Sequence, residues 1–468
     1  MQTSLRARPV DWLPLSFGVA SASIAVIPDV RVKMAIGLPV AALAFAWWSI
    51  LSPGRWLMAS FLCALLTPPI AIPGFENGVQ LTPAFAVLGL VAGAVRMPEW
   101  QGAPRALTVT FALFTAMLAC SAGVGALYSG ADAGIGSLAR AGLFAIGVYV
   151  FFYACAGPRE TGYDSMRVAS FLFLAGVAAA LFACADFYYH FPAPSGFGQQ
   201  FVWLDEGVFR RAQGFFYEAS TLGNFCSFLL LTIAVAASRG AKELPLSYPV
   251  LAAGGIVAAA ALMLSYSRGS LVNLIVSCVA LALLRRVRVW RAIALAGLMA
   301  LIAIVAVRAV WPSFSDSYWT RITGSVQFFM YSPNGVLSGR IGNWSLLTDF
   351  LVREPWQCLF GIGYKTLPYF GLAGNPLIAD NNYLDLLVET GVTGLAVFLA
   401  LNFCILRAAW RAAHSSQRRA VFFGEWIFCF WIGEMVQMLS GDLITYWRVL
   451  PVYFWVLGTA IRETKESV

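Results

Sequence analysis

The sequence predicts an all-α polytopic membrane protein of about fourteen transmembrane helices, within a range of 12–14. Three observations lead there. Across 468 residues, 60% are hydrophobic and 12% charged, with a mean hydropathy of +0.75. A soluble domain carries about 25% charged residues, so this chain lacks the polar groups to cover a water-facing surface. The apolar stretches run roughly 17–25 residues, the length that crosses a ~30 Å hydrocarbon core as a helix. They do not alternate with a period of two, which argues against a β-barrel.

The spans fall at approximately 13–30, 34–51, 56–72, 80–96, 106–128, 138–156, 166–188, 218–238, 246–267, 269–284, 292–311, 382–406, 420–440 and 447–461. The first follows Arg6 and Arg8 as a signal peptide would, but many later spans of the same kind favour an uncleaved helix. The whole chain, 1–468, reads as a single transmembrane domain, with a long loop at 312–381 inserted before the last three helices. In that loop, Ile341, Trp344, Leu347 and Leu351 recur at spacings of three and four between Ser338 and Arg353. This predicts an amphipathic helix lying on the membrane face, ended by Pro355, Gly361 and Gly363.

The net charge of +8 is accounted for by Lys and Arg in short links such as Arg239 with Lys242, Arg285 to Arg291, and Arg407 to Arg419. No nucleic-acid partner is indicated. The positive-inside rule places these links, and both termini, in the cytoplasm of a bacterial inner membrane. Arg31 and Lys33, in one short link, break the pattern. Loops 189–217 and 312–381 then face the periplasm. The nine cysteines carry no CxxC, and eight of them lie in apolar runs, which reads as packing and gives neither a disulfide framework nor a metal cluster. His190 and His414 fall on opposite sides of the membrane, so no metal and no cofactor is expected.

Function is sought in ionisable residues on the outer side or inside spans. The outer set includes Arg210, Arg211, Arg268, Arg321, Arg340, Arg353, Lys365 and Asp380, flanked by Glu218, Glu389, Glu434, Asp442 and Arg448. Arg268 sits in the tight link Tyr266-Ser267-Arg268-Gly269-Ser270 between two spans. A cation there needs an anion, and arginine suits bidentate phosphate binding; lipid headgroups are the alternative partner. Adjacent Arg210 and Arg211 fit an anionic ligand or a pairing with a nearby glutamate. Asp380 is either the N-cap of the following helix or a carboxylate held near the arginines to accept a proton, with Asn381 as the cap instead.

The ordered set of short motifs resembles a known group. Ser267-Arg268-Gly269-Ser270 between two spans is followed by Gly339-Arg340 with Trp344, then Arg353-Glu354-Pro355 and Phe360-Gly361-Ile362-Gly363. Asn381-Asn382-Tyr383-Leu384 and Glu389-Thr390-Gly391-Val392-Thr393-Gly394-Leu395 complete it. Over roughly 205–400 this is similar to the O-antigen ligase and O-antigen/exopolysaccharide polymerase superfamily. The resemblance implies a GT-C-like membrane glycosyltransferase that uses a glycan on undecaprenyl pyrophosphate at the periplasmic face, with an acceptor glycan, membrane lipid and, as a candidate, a chain-length regulator as partners.

By the family pattern Arg211 and Arg268 hold the donor pyrophosphate, and Asp380, the third candidate catalytic residue, takes the proton of the acceptor hydroxyl or orients it. Arg210, Arg340, Asn381, Asn382, Tyr383 and Glu218 form the candidate substrate-binding set. The ligases of the group carry a histidine where this chain has Asp380, which tilts the expectation toward a polymerase joining repeat units by inverting, metal-independent transfer. A ligase acting on lipid A core or protein is the alternative, and a lipid-linked sugar flippase the alternative of another class. On this reading Asp380 matters far more to activity than Asp385.

Overall fold

A computed structural model describes residues 53–68, 70–72, 75–79, 81–158, 164–191, 199–204, 207–216, 218–239, 244–285, 289–310, 340–371 and 377–465, with scattered positions between 312 and 324. The expected spans at 13–30 and 34–51, and Arg321, lie outside the described residues.

The described residues are mostly helical. In order, the helices are α1 (Pro53–Leu66), α2 (Leu81–Val95), α3 (Arg105–Ser129), α4 (Ala131–Ala156), α5 (Ser165–Tyr189), α6 (Ala219–Arg239) and α7 (Tyr248–Leu264). Then come α8 (Arg268–Arg285), α9 (Val289–Val310), α10 (Arg340–Arg353), α11 (Pro355–Phe360), α12 (Asn382–Ala413), α13 (Arg418–Gln437) and α14 (Leu450–Lys465). Two antiparallel hairpins interrupt them: β1 (Ile70–Ile72) with β2 (Phe75–Val79), and β3 (Phe201–Leu204) with β4 (Gly207–Arg210). Each expected span from 56–72 onward overlaps one of these helices, although the last residues of 56–72 form β1. Among the described residues, α3, α4, α5, α6, α8, α12 and α13 are long and apolar enough to cross a membrane. The protein is an all-α polytopic membrane protein.

α6 and α14 run through the interior. Every residue from Leu450 to Ile461 is buried, as is nearly all of α6. Aromatic rings knit this core: Phe228 lies against Trp426, Phe430 and Tyr453, and Phe111 against Phe151 and Phe454. The outer helices are apolar on their exposed faces too. On α8, Val272, Ile275, Val279 and Leu283 all face outward. This is the pattern of a helix packed on protein on one side and lipid on the other.

Polar links gather at one end of the bundle. Glu425 receives Arg239 at 3.4 Å and Arg285 at 2.6 Å, Arg419 pairs with Asp164 at 3.2 Å, and Ser165 donates to Glu463 at 2.5 Å. α8 runs away from this end, and the 17 steps along its 18 residues put Arg268 about 26 Å from Arg285.

The expected amphipathic helix forms as α10, but its apolar side does not face lipid. Leu347 and Leu351 bury themselves with Ile362, Leu367, Leu377 and Val388 in a small core of their own, and Trp344 packs on it. Trp344 Nε1 donates to the Ala379 carbonyl at 2.7 Å, and Asn343 donates to Ile378 at 3.0 Å. Glu354 breaks the helix, and Pro355 starts α11 in place of a plain stop. Gly361, at φ 79°, ends α11 against the kink of α12 at Gly391, at φ 73°. A Cβ on Gly361 would stand 2.2 Å from the Glu389 carbonyl oxygen, and one on Gly391 would stand 2.1 Å from that of Leu359. Only glycine permits both the left-handed backbone and this approach.

Candidate active site

At the end of the bundle opposite Glu425 lies a cavity of about 1190 Å³. Its first wall is the link between α7 and α8. Tyr266 turns through a left-handed conformation at φ 51°, which reverses the chain within two residues. Ser267 then precedes α8, and its hydroxyl accepts the N–H of Ser270 at 3.4 Å. Arg268 and Gly269 are the first helical residues and line the cavity. The β3–β4 hairpin delivers a second guanidinium to the same place. The Arg211 N–H extends the ladder to the Gln200 carbonyl at 2.8 Å, and Ala212 donates to Leu264 at 2.9 Å. The Arg211 side chain donates through Nε to the Ser265 carbonyl at 2.8 Å. Carbonyls left over at the end of α7 thus fix Arg211 beside Arg268.

Arg340, the first residue of α10, completes the cationic end. It is held by Asp380, whose Oδ2 accepts from Arg340 Nε at 3.2 Å. Burial lowers the Arg211 pKa below the usual arginine value; Tyr446 and Glu218 oppose the shift, and Arg340 and Arg268 add to it. The three guanidiniums therefore sit within electrostatic reach of one another. Glu218 lines the same wall. Burial raises its carboxyl above the usual glutamate value, the Ser220 hydroxyl opposes this, and Asp442 and Asp380 reinforce it.

The other end of the cavity is acidic. Asp385 and Glu389 stand one turn apart on α12 and so share a face. Asp442 comes from the link between α13 and α14. Lys365 stands among them: its Nζ pairs with Asp442 and lies 3.8 Å from Glu389 Oε2. Burial works against the Lys365 charge, but Asp442, Glu389 and Asp385 outweigh it and hold the amine well above the usual lysine value. The Lys365 carbonyl accepts from Arg140 at 2.9 Å. Lys365 and Asp380 have φ of 58° and 50°, so with Tyr266 three cavity residues other than glycine occupy the left-handed region. Such strain, of order 1–3 kcal/mol each, gathers where a site over-determines the backbone.

Beneath the floor, Glu434 is buried between α6 and α8. Its Oε2 accepts from Asn224 and, at 2.7 Å, from Asn273. Gln437 takes a 3.0 Å bond from each asparagine and donates to Ser270 at 3.3 Å, tying this network to the Arg268 turn.

Of the residues expected from sequence, the structure brings Arg211, Arg268, Arg340, Glu218 and Asp380 together around the cavity. Four others stand apart from it. Arg210 points the other way from Arg211, because successive residues of an extended strand face opposite sides. Its Nη2 donates to both Asp186 oxygens at 3.0 Å, and its Nη1 lies 3.2 Å from His190 Nδ1. Asn381 caps α12, accepting the N–H groups of Tyr383 at 3.1 Å and Leu384 at 3.2 Å. Asn382 is buried off the cavity, and its backbone N–H bonds to Met438. The Tyr383 hydroxyl donates to the Met435 carbonyl at 2.9 Å, joining α12 to α13.

Residues 253–399, from α7 to the middle of α12, match the O-antigen ligase family. The matched stretch holds Arg268, Arg340, Lys365, Asp380, Asp385 and Glu389. This match supports a place for the chain in the O-antigen ligase and polymerase superfamily. Across its full length, no match among curated proteins is found. The ligase-family stretch is less than half of the chain, and Arg211, Glu218 and Asp442 come from outside it.

Proposed function

We propose that this protein is a glycosyltransferase of the bacterial inner membrane that joins repeat units carried on undecaprenyl pyrophosphate, working at the periplasmic face. The observation that carries this reading is the convergence of Arg211, Arg268 and Arg340 on one cavity, with Arg268 at the N-terminus of an 18-residue helix. Backbone N–H groups and guanidiniums aimed at one spot suit a diphosphate. As the glycosyl bond to the diphosphate breaks, negative charge grows on the leaving oxygen, and fixed cations there stabilise it with no reorganisation.

The lipid has a way in. Val272 of α8 and Val436 of α13 both line the cavity and are exposed. Below them on α8 the apolar stripe of Ile275, Val279 and Leu283 continues along the lipid face. A polyprenyl tail lies along that stripe while its head reaches Arg268. The orientation follows from the basic end around Glu425, which the positive-inside rule sets in the cytoplasm, leaving the cavity outside. Asp380 belongs to the cationic end through its bond to Arg340, where it aims that guanidinium into the cavity.

Transfer of a finished glycan to lipid A core or protein is the second reading, favoured by the ligase description of the matched family. Asp380, standing where the ligases carry histidine, favours the polymerase. A flippase would place its charges along a two-sided path, whereas the charged groups of this cavity sit at one end of the bundle. The test is purified protein with a lipid-linked repeat unit and a gel of the products. A ladder of repeats is the polymerase outcome and a single addition per acceptor the ligase outcome. No glycosidic product from folded, lipid-binding protein would overturn the reading.

A further inference from the structure

The cavity is electrically divided, and the donor's diphosphate explains only its cationic end. The acidic end presents Asp385, Glu389 and Asp442 to the same space. Two of these three carboxylates have a cation from within: Lys365 pairs with Asp442 and lies 3.8 Å from Glu389, whose Oε2 has no hydrogen-bond partner among the described residues. Asp385 differs. It is 6% exposed, it lines the cavity, and its side chain has neither a hydrogen bond nor an ion pair among the described residues. A buried carboxylate in that position is left for a donor from outside the protein. Glu218 and Asp380, the other carboxylates of the cavity, are engaged by Ser220 and Arg340.

Resting on the glycosyl-transfer reading, we infer that the acidic end is the acceptor-sugar subsite and that Asp385 is the catalytic residue that takes the proton of the attacking hydroxyl. Carboxylates accept hydrogen bonds and offer none when ionised, so they recognise a ligand rich in hydroxyl donors. In the step, the acceptor O–H bond breaks and its oxygen forms a bond to the anomeric carbon. The bond from that carbon to the diphosphate breaks on the opposite side. Its electron pair leaves on the diphosphate, beside Arg211 and Arg268, and the proton ends on Asp385. Lys365 is a positioning residue. Its charge keeps Asp442 and Glu389 in place beside the acceptor, and the left-handed turn at Lys365 is anchored by Arg140.

This reverses the sequence expectation that Asp380 outweighs Asp385. Asp380 is 51% exposed and hydrogen-bonded to a guanidinium, so it stands in water at the rim. Asp385 is enclosed, one turn from Glu389, where a sugar would displace solvent.

The experiment compares Asp385→Asn, Asp385→Ala and Asp380→Asn in lipid nanodiscs. Binding is measured with undecaprenyl pyrophosphate, and transfer with a lipid-linked repeat unit. Asp385→Asn is expected to bind undecaprenyl pyrophosphate within about threefold of the unaltered protein, and to slow transfer roughly 10²- to 10⁴-fold, the usual contribution of a general base. Asp380→Asn is expected to slow transfer about tenfold or less, the loss of one orienting bond. Added formate, a small carboxylate, is expected to restore part of the Asp385→Ala rate, which no merely structural defect would allow. Transfer by Asp385→Asn within fivefold of the unaltered rate overturns the assignment, as does an Asp385→Ala defect that formate leaves untouched while lipid binding is intact. If the unaltered protein binds lipid yet forms no glycosidic bond, the transfer reading falls and this inference with it.

Discussion

Replacing Arg211 by lysine tests the donor grip, because it keeps the charge and removes the geometry. The Arg211 guanidinium spends Nε on the Ser265 carbonyl at 2.8 Å while the side chain lines the cavity. A lysine has one ammonium on a flexible stem and cannot hold the end of α7 and reach a diphosphate in the same fixed posture. Losing one hydrogen bond to a charged group costs about 1.5–3 kcal/mol, which at 1.36 kcal/mol per decade is about 10- to 150-fold in transfer. Arg268→Ala removes a whole cation from the leaving charge, and a loss of about 10²–10³ in turnover is expected. Under the proposed reading both groups act on one diphosphate, so the double variant should lose less than the product of the two single losses. The assay is the initial rate of repeat-unit joining by purified protein in nanodiscs, with undecaprenyl pyrophosphate affinity and a melting curve measured on each variant. Folded Arg211→Lys and Arg268→Ala proteins with unaltered rates would refute the cationic site, and strictly multiplicative losses would refute its being one site.

Arg210→Ala should lower thermal stability by about 3–5 kcal/mol, because it strands Asp186 as a buried charge, while the folded fraction still binds undecaprenyl pyrophosphate; a melting curve and a binding isotherm read the two effects. Asn381→Ala should cost about 1 kcal/mol of stability through the lost cap of α12, seen as a modest fall in melting temperature. Glu218 has its carboxyl raised by burial, so the folded protein binds this proton more tightly than the unfolded chain does. Its contribution to stability is then fully present below the ordinary value of 4.5 and falls as the pH climbs through the raised one. Glu218→Gln should accordingly flatten the melting temperature against pH above about 4.5, with little change below it.

The helices were legible because lipid imposes a length and a polarity on each span, and both can be read from one sequence. The site was legible in part. Arg268 stood out because Tyr266 to Ser270 leaves no room for a loop, so its cation had to sit at the cavity end of α8. The pairing of Arg210 with Arg211 misled because neighbours in sequence share a ligand only when the backbone turns between them, and β4 keeps it extended. Lys365, Glu389 and Asp442 were visible as outer charges, but nothing local said that they meet. Their contacts span 24 and 77 positions and depend on how α12 and the α13–α14 link pack. One signal for the acidic end was present: Asp385 and Glu389 four apart on a helix whose first turn Asn381 caps.

The cavity also shows what the family match does and does not carry. The stretch 253–399 supplies Arg268 and Arg340 at one end and Lys365, Asp385 and Glu389 at the other. It does not supply Arg211, which needs the β3–β4 hairpin, or Asp442, which needs α13 and the link after it. Without Asp442, Lys365 would keep, among the described residues, only Glu389 at 3.8 Å as an ion-pair partner. Without Arg211, α8 would offer its N-terminal cation with no neighbour fixed to the end of α7. Each end therefore takes charged groups from outside the matched stretch. The buried lengths of α6 and α14 hold those outside pieces against it. A division of charge across one cavity arises from the packing of the described helices, and under the proposed glycosyl-transfer reading it stabilises a departing diphosphate at one end while drawing a proton from a sugar hydroxyl at the other.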